Sequence, residues 1–101
     1  MSQLFAITAR DAPGSAERRA VSRAAHDAHI DALGDAVALG AALTAADGSP
    51  AGSLMILRAS DEATARAVVA ADPFVITGVW ESFEIRMLVP RTGSWIGGRQ
   101  A

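Results

Sequence analysis

An imidazole and a carboxylate are the smallest set of groups that can move a proton near neutral pH, and this chain offers His26 and Asp72. Asp72 opens the segment Asp72-Pro73-Phe74, followed closely by Gly78 and Trp80. Pro73 cannot continue a preceding helix and biases Asp72 toward an extended conformation. The carboxylate is therefore expected at a helix exit, facing outward above a sheet. His26 falls on a helical stretch, three residues after Arg23 and three before His29. A carboxylate beside an imidazole fixes its tautomer, and the pair can abstract a proton from a carbon or hydroxyl and return it elsewhere. Such a pair suits eliminations, dehydrations, isomerisations and lactone chemistry on small acidic molecules, and Arg23 could hold a carboxylate or phenolate.

Each of these residues also has a plainer reading. His26 could be a partly exposed helix residue paired with a neighbouring acid, and His29 a packed, hydrogen-bonded core histidine. Asp72 could serve only an Asx-turn ahead of Phe74. Arg23 stands at i,i+4 to Asp27, the spacing of a helical ion pair. Phe74, Trp80 and Phe83 could be core or interface rather than walls of a pocket.

Composition narrows the chemistry. All nine basic side chains are arginine, which removes Schiff-base catalysis by a lysine amine, and no cysteine is present. A net charge of −2 with scattered arginines offers no field for a phosphate backbone, so nucleic acid is not expected. No segment approaches the ~20 apolar residues of a membrane span. The start Met1-Ser2-Gln3-Leu4-Phe5 carries no basic leader, and the cytoplasm is the expected compartment. His26 and His29 with Asp72 could form a facial metal set, but no further ligand-rich cluster accompanies them; neither metal nor organic cofactor is expected.

The elements that must position these groups follow from local signals. Leu4 to Ala9 reads as a strand, closed by the loop Arg10-Asp11-Ala12-Pro13-Gly14. Ser15 is placed to cap a helix running to about Leu33, before Gly34. At 100° per residue, Val21, Ala25, Ala28, His29, Ala32, Leu33 and Ile30 form its apolar arc. His29 falls near the centre of that arc and His26 near its edge. Val37 to Ala46 and Ser53 to Ala59 form a hairpin about Asp47-Gly48-Ser49-Pro50. Ser60, with Asp61 and Glu62, starts a second helix that runs to about Ala71, and Val79 to Val89 supplies a last strand ended by Pro90. The order βαββαβ predicts a four-stranded antiparallel sheet with both helices on one face, a ferredoxin-like α+β fold. One domain over 1–90 is expected, with a glycine-rich tail over 91–101 that is either loose or packed on a partner subunit through Trp95. An alanine-rich core is thin, and one sheet face needs cover; a second copy of the chain is the expected partner.

The run Arg23-Ala24-Ala25-His26-Asp27-Ala28-His29-Ile30, the exit Ala71-Asp72-Pro73-Phe74, the segment Gly78-Val79-Trp80-Glu81 and the strand Phe83-Glu84-Ile85-Arg86 resemble the YCII-related (YciI-like) domain family over nearly the whole chain to Pro90. The resemblance implies a ferredoxin-like fold pairing into a dimeric α/β barrel. It implies a small-molecule enzyme without organic cofactor, lyase- or isomerase-like, with His26 and Asp72 as the catalytic pair. Arg23, His29, Phe74 and Trp80 would then bind substrate. A non-catalytic binding or regulatory dimer using the same pocket is the alternative. Two departures stand out: Ala24 occupies a position where many relatives have proline, and Pro90 with the glycine-rich tail replaces the usual basic and apolar continuation of the last strand.

Overall fold

The computed structural model describes residues 2–99. Four strands, β1 (Gln3–Asp11), β2 (Val37–Thr44), β3 (Pro50–Ala59) and β4 (Trp80–Leu88), form one antiparallel sheet in the order β2-β3-β1-β4. The helices are α1 (Ala16–Leu33), α2 (Glu62–Ala70) and a single turn, α3 (Pro73–Ile76). This is the expected ferredoxin-like arrangement.

The period-2 alternation of β1 explains its central place. Phe5, Ile7 and Ala9 point to the helices and are buried, and their cross-strand partners Leu57, Met55 and Ile85 continue the same face. Ala65 and Val69 of α2, then Phe74, Val79 and Trp80, close over that row. At Gly52 the two central strands come so close that an added Cβ would run into the carbonyl oxygen of Ala9, which is why no side chain stands there. The hairpin turn is tied by Asp47, whose Oδ1 accepts from the Ser49 N–H and hydroxyl at 2.9 and 2.6 Å, with Gly48 at φ 85°. Pro50 belongs to β3 rather than to the turn, opposite Thr44.

Two expected caps differ. Ser15 occupies the position before α1, but its hydroxyl makes no cap hydrogen bond. For α2 the cap is Asp61, whose carboxylate accepts from the Thr64 N–H at 2.7 Å, rather than Ser60. These bonds hold the Asp47 and Asp61 carboxyls below the usual carboxylate value: at Asp47 chiefly the Ser49 hydroxyl, then its N–H, and at Asp61 chiefly the Thr64 N–H.

The larger correction concerns the face of α1. Val21, expected on the buried arc, is 80% exposed, and Ala25, Ala28 and Ala32 are exposed as well. The inner face instead runs through Arg19, Ser22, His26, Ile30 and Leu33, with His29 at its edge. Four of those residues carry hydrogen-bonding groups, and each finds a partner on another element. An alanine-rich helix gains little from burying alanine methyls, so the specific polar contacts set its rotation.

Of the tail, Trp95 is 87% exposed and lies in a short 3-10 turn, Ser94–Ile96. The last two residues of the 91–101 segment lie outside the described residues, as does Met1. Among the described residues, no helix is long and apolar enough to cross a membrane.

Candidate functional site

Asp72 is where α2 ends and α3 begins. Pro73 does stop α2, but it sits in the first turn of a new helix, where its missing N–H costs nothing. Asp72 caps that turn: its backbone is extended (φ −66°, ψ 130°), and its Oδ1 accepts from the Phe74 N–H at 2.9 Å. The same carboxylate accepts from Nδ1 of His26, at 2.8 Å to Oδ1 and 3.0 Å to Oδ2. The side chain has no solvent exposure, so it points inward rather than outward as the sequence suggested. The Asx-turn and the imidazole partnership are both real, and one carboxylate serves both.

With Nδ1–H donating to Asp72, the lone pair of His26 resides on Nε2, which has no hydrogen-bond partner among the described residues. The imidazole is clamped on its flat side as well. Phe74 stacks on it face to face, with centroids 3.9 Å apart and planes within 3°, and Trp80 meets it edge-on at 5.8 Å. Phe74 reaches this place because the cap at Asp72 fixes its backbone, and Trp80 because Gly78, at φ 76°, turns the chain into β4.

Beside this cluster lies a cavity of about 260 Å³ between α1 and the β2–β3 side of the sheet. His26, Phe74, Trp80 and Arg23 line it, together with Arg19, Ile30 and strand residues from Gly40 to Ala42 and Ser53 to Met55. A wider, open groove of about 790 Å³ shares Arg19 and Arg23 with it and extends to Arg10 and Pro50. Arg23 stands at the rim, its side chain 65% exposed and its Nε 3.4 Å from Asp27. The i,i+4 pair expected from the sequence is therefore present, and at such exposure it holds Arg23 only weakly.

His29 is not part of the cavity wall, which corrects its expected place among the pocket residues. Its Nε2–H donates to the Val68 carbonyl at 3.1 Å, tying α1 to α2. The two histidines thus diverge, one to Asp72 and one to a backbone carbonyl. Among the described residues no group of three or more potential ligands comes together to hold a metal ion.

Two features escaped the sequence reading. Arg19 forms a two-bond fork with Asp11, 3.0 Å from Nε and 2.8 Å from Nη2, almost wholly out of solvent, and its guanidinium lies 4.9 Å from the centre of the Phe74 ring. Ser22 donates to Thr77 at 2.9 Å, and Thr77 donates onward to the Pro73 carbonyl, linking α1 to α3. The only sequence signal for either was spacing, since Arg19 and Ser22 precede His26 by seven and four residues and so share its face.

A ferredoxin-like α+β chain with an imidazole–carboxylate pair beside a one-sided cavity is the class that fold and site define. The chain belongs to the YCII-related domain family, whose model matches residues 3–89. Its structure is similar to that of 5-chloro-2-hydroxyhydroquinone dehydrochlorinase from Burkholderia phenoliruptrix AC1100, solved in complex with 2,5-dihydroxybenzoquinone. The two share 27% sequence identity and a TM-score of 0.78, over 91% of this chain and 97% of that one. Among curated proteins, none matches the sequence significantly.

Proposed function

We propose that this chain is a small-molecule enzyme in which His26 and Asp72 carry out acid–base chemistry of the elimination type, on a substrate with an ionisable hydroxyl and an anionic character. The observation that carries the reading is the doubly anchored His26, with Nδ1 on a fully buried carboxylate and its free Nε2 on a residue lining a cavity. The similarity to a dehydrochlorinase supports the reaction class. In the proposed step, Nε2 takes a proton from a substrate hydroxyl or an acidic C–H. The released electron pair forms a new C=O or C=C bond, and the leaving group departs with its bonding electrons. Asp72 stays ionised throughout and balances the imidazolium. Arg23 at the mouth orients an anionic group, and Phe74 and Trp80 supply flat walls.

Size limits the substrate. A cavity of roughly 150 Å³ holds a benzene ring, so about 260 Å³ suits one substituted ring or a short acyclic acid. The working form is proposed to be a cytoplasmic homodimer. Leu39, Ile56 and Ala6 lie in one cross-strand row on the sheet face that carries no helix. A second copy of that face is the self-complementary cover for it.

The test is halide release from a chlorinated hydroxyhydroquinone. His26→Ala and Asp72→Asn should each lower turnover by about 10²- to 10⁴-fold while circular dichroism shows the fold intact. Full activity in both variants overturns the assignment. Thermal stabilisation by the compound without product would instead favour a binding module.

A further inference from the structure

We infer that the Trp80 indole N–H is a hydrogen-bond donor for a ligand oxygen, of the carbonyl, enolate or phenolate class, inside the cavity beside His26. The inference deepens the proposed function and rests on His26 acting as the base. Trp80 is only 6% exposed, yet its Nε1 has no hydrogen-bond partner, the one buried side-chain nitrogen or oxygen so left among the described residues. Buried polar groups in folded proteins are almost always paired, and an indole N–H can only donate. The edge contacts with His26 and Phe74 do not by themselves need the N–H, since a phenylalanine ring also has an edge and carries no donor. What the N–H lacks is an acceptor, and Trp80 lines the cavity.

Position gives the donor its use. The Trp80 ring meets both imidazole and Phe74 edge-on, with centroids 5.8 and 5.6 Å away. His26 and Trp80 line the same cavity, so a ligand held there lies between the base and the indole ring. When His26 removes a proton from a hydroxyl or from a carbon next to a carbonyl, negative charge grows on a ligand oxygen. A fixed donor away from water stabilises that charge more as it develops. Arg23 does not fill this role, because it stands in solvent at the rim. The ligand this predicts has two oxygen functions: one gives its proton to His26, and another accepts from Trp80.

The chain has two tryptophans, so ¹H–¹⁵N spectra of the wild-type protein contain two indole signals, and Trp80→Phe assigns them. In the free protein the Trp80 indole proton should resonate at the high-field position of an unbonded N–H. Titration with 2,5-dihydroxybenzoquinone, 2-hydroxyhydroquinone and salicylate should move it downfield with at least one of them, and Trp80→Phe should weaken binding of that compound about tenfold. The inference is overturned if the free protein already shows a hydrogen-bonded indole, or if no compound moves the signal. It is also overturned if Trp80→Phe binds as tightly as wild type. Imidazole ¹⁵N signals separate the two levels of argument: compounds that shift His26 but not Trp80 remove only the donor role, whereas compounds that shift neither remove the acid–base reading with it.

Discussion

Asp72 shows how one buried carboxylate can serve structure and chemistry together. It caps the turn that carries Phe74 and anchors the imidazole on which Phe74 stacks, so the two partners are positioned by a common atom. Removing it has a stability consequence separable from catalysis. Asp72→Ala leaves the buried Phe74 N–H without its acceptor and takes the partner from the part-buried His26 Nδ1–H, a loss on the order of 3 kcal/mol. Asp72→Asn keeps an acceptor oxygen and should lose clearly less. Urea unfolding of the two variants checks the order, and equal stabilities would mean that the carboxylate's two bonds do not hold the fold.

At the scale of elements, the inner face of α1 is a polar seam. Arg19 is bound to the end of β1, Ser22 to Thr77 beyond α3, His26 to Asp72 before it, and His29 to α2. A double-mutant cycle between Ser22→Ala and Thr77→Val should give a coupling of about 1 kcal/mol; a value near zero would remove Ser22 from the clamp. Gly52→Ala drives a methyl into the Ala9 carbonyl. Because the obstacle is backbone in a central strand pair, the expected loss is about 3 kcal/mol, read as a fall in thermal midpoint. The cap of α2 carries a pH signature. Asp61 has a folded-state value held below its unfolded one, so its contribution is complete above the ordinary carboxylate range near pH ~4 and is lost as pH falls through the lowered value. Asp61→Ala should therefore be less stable than wild type at neutral pH and converge on it in acid, which thermal melts at both pH values measure.

For the whole molecule, the question is what covers the far side of the sheet. Both long helices pack against the same face, and the opposite one presents the row Leu39, Ile56 and Ala6, ended on β4 by Arg86 and flanked along β3 by Arg58. If that row meets its copy, Ile56→Glu places like charges opposite each other across the two-fold. Light scattering should then move from twice the 10.4 kDa chain mass to the single chain. An unchanged mass for the variant, or a single-chain mass for wild type, counts against the pairing.

The order of the four strands and two long helices, the antiparallel sheet and the placement of Asp72 at a helix exit were legible in the chain, because each depends on neighbours in sequence: alternation in Phe5, Ile7 and Ala9, the Asp47–Gly48 turn, and the Asp72-Pro73-Phe74 segment; the single turn α3 was not. The rotation of α1 was not legible. Its alanines give a nearly featureless hydrophobic pattern, so Val21 could be drawn inside and His29 to the centre without violating any local rule. Only the tertiary structure decided that Val21 faces water and His29 bonds to Val68, and that His26 meets Asp72. Those outcomes come from hydrogen bonds to residues on other elements, and no local pattern encodes the distance across which they form.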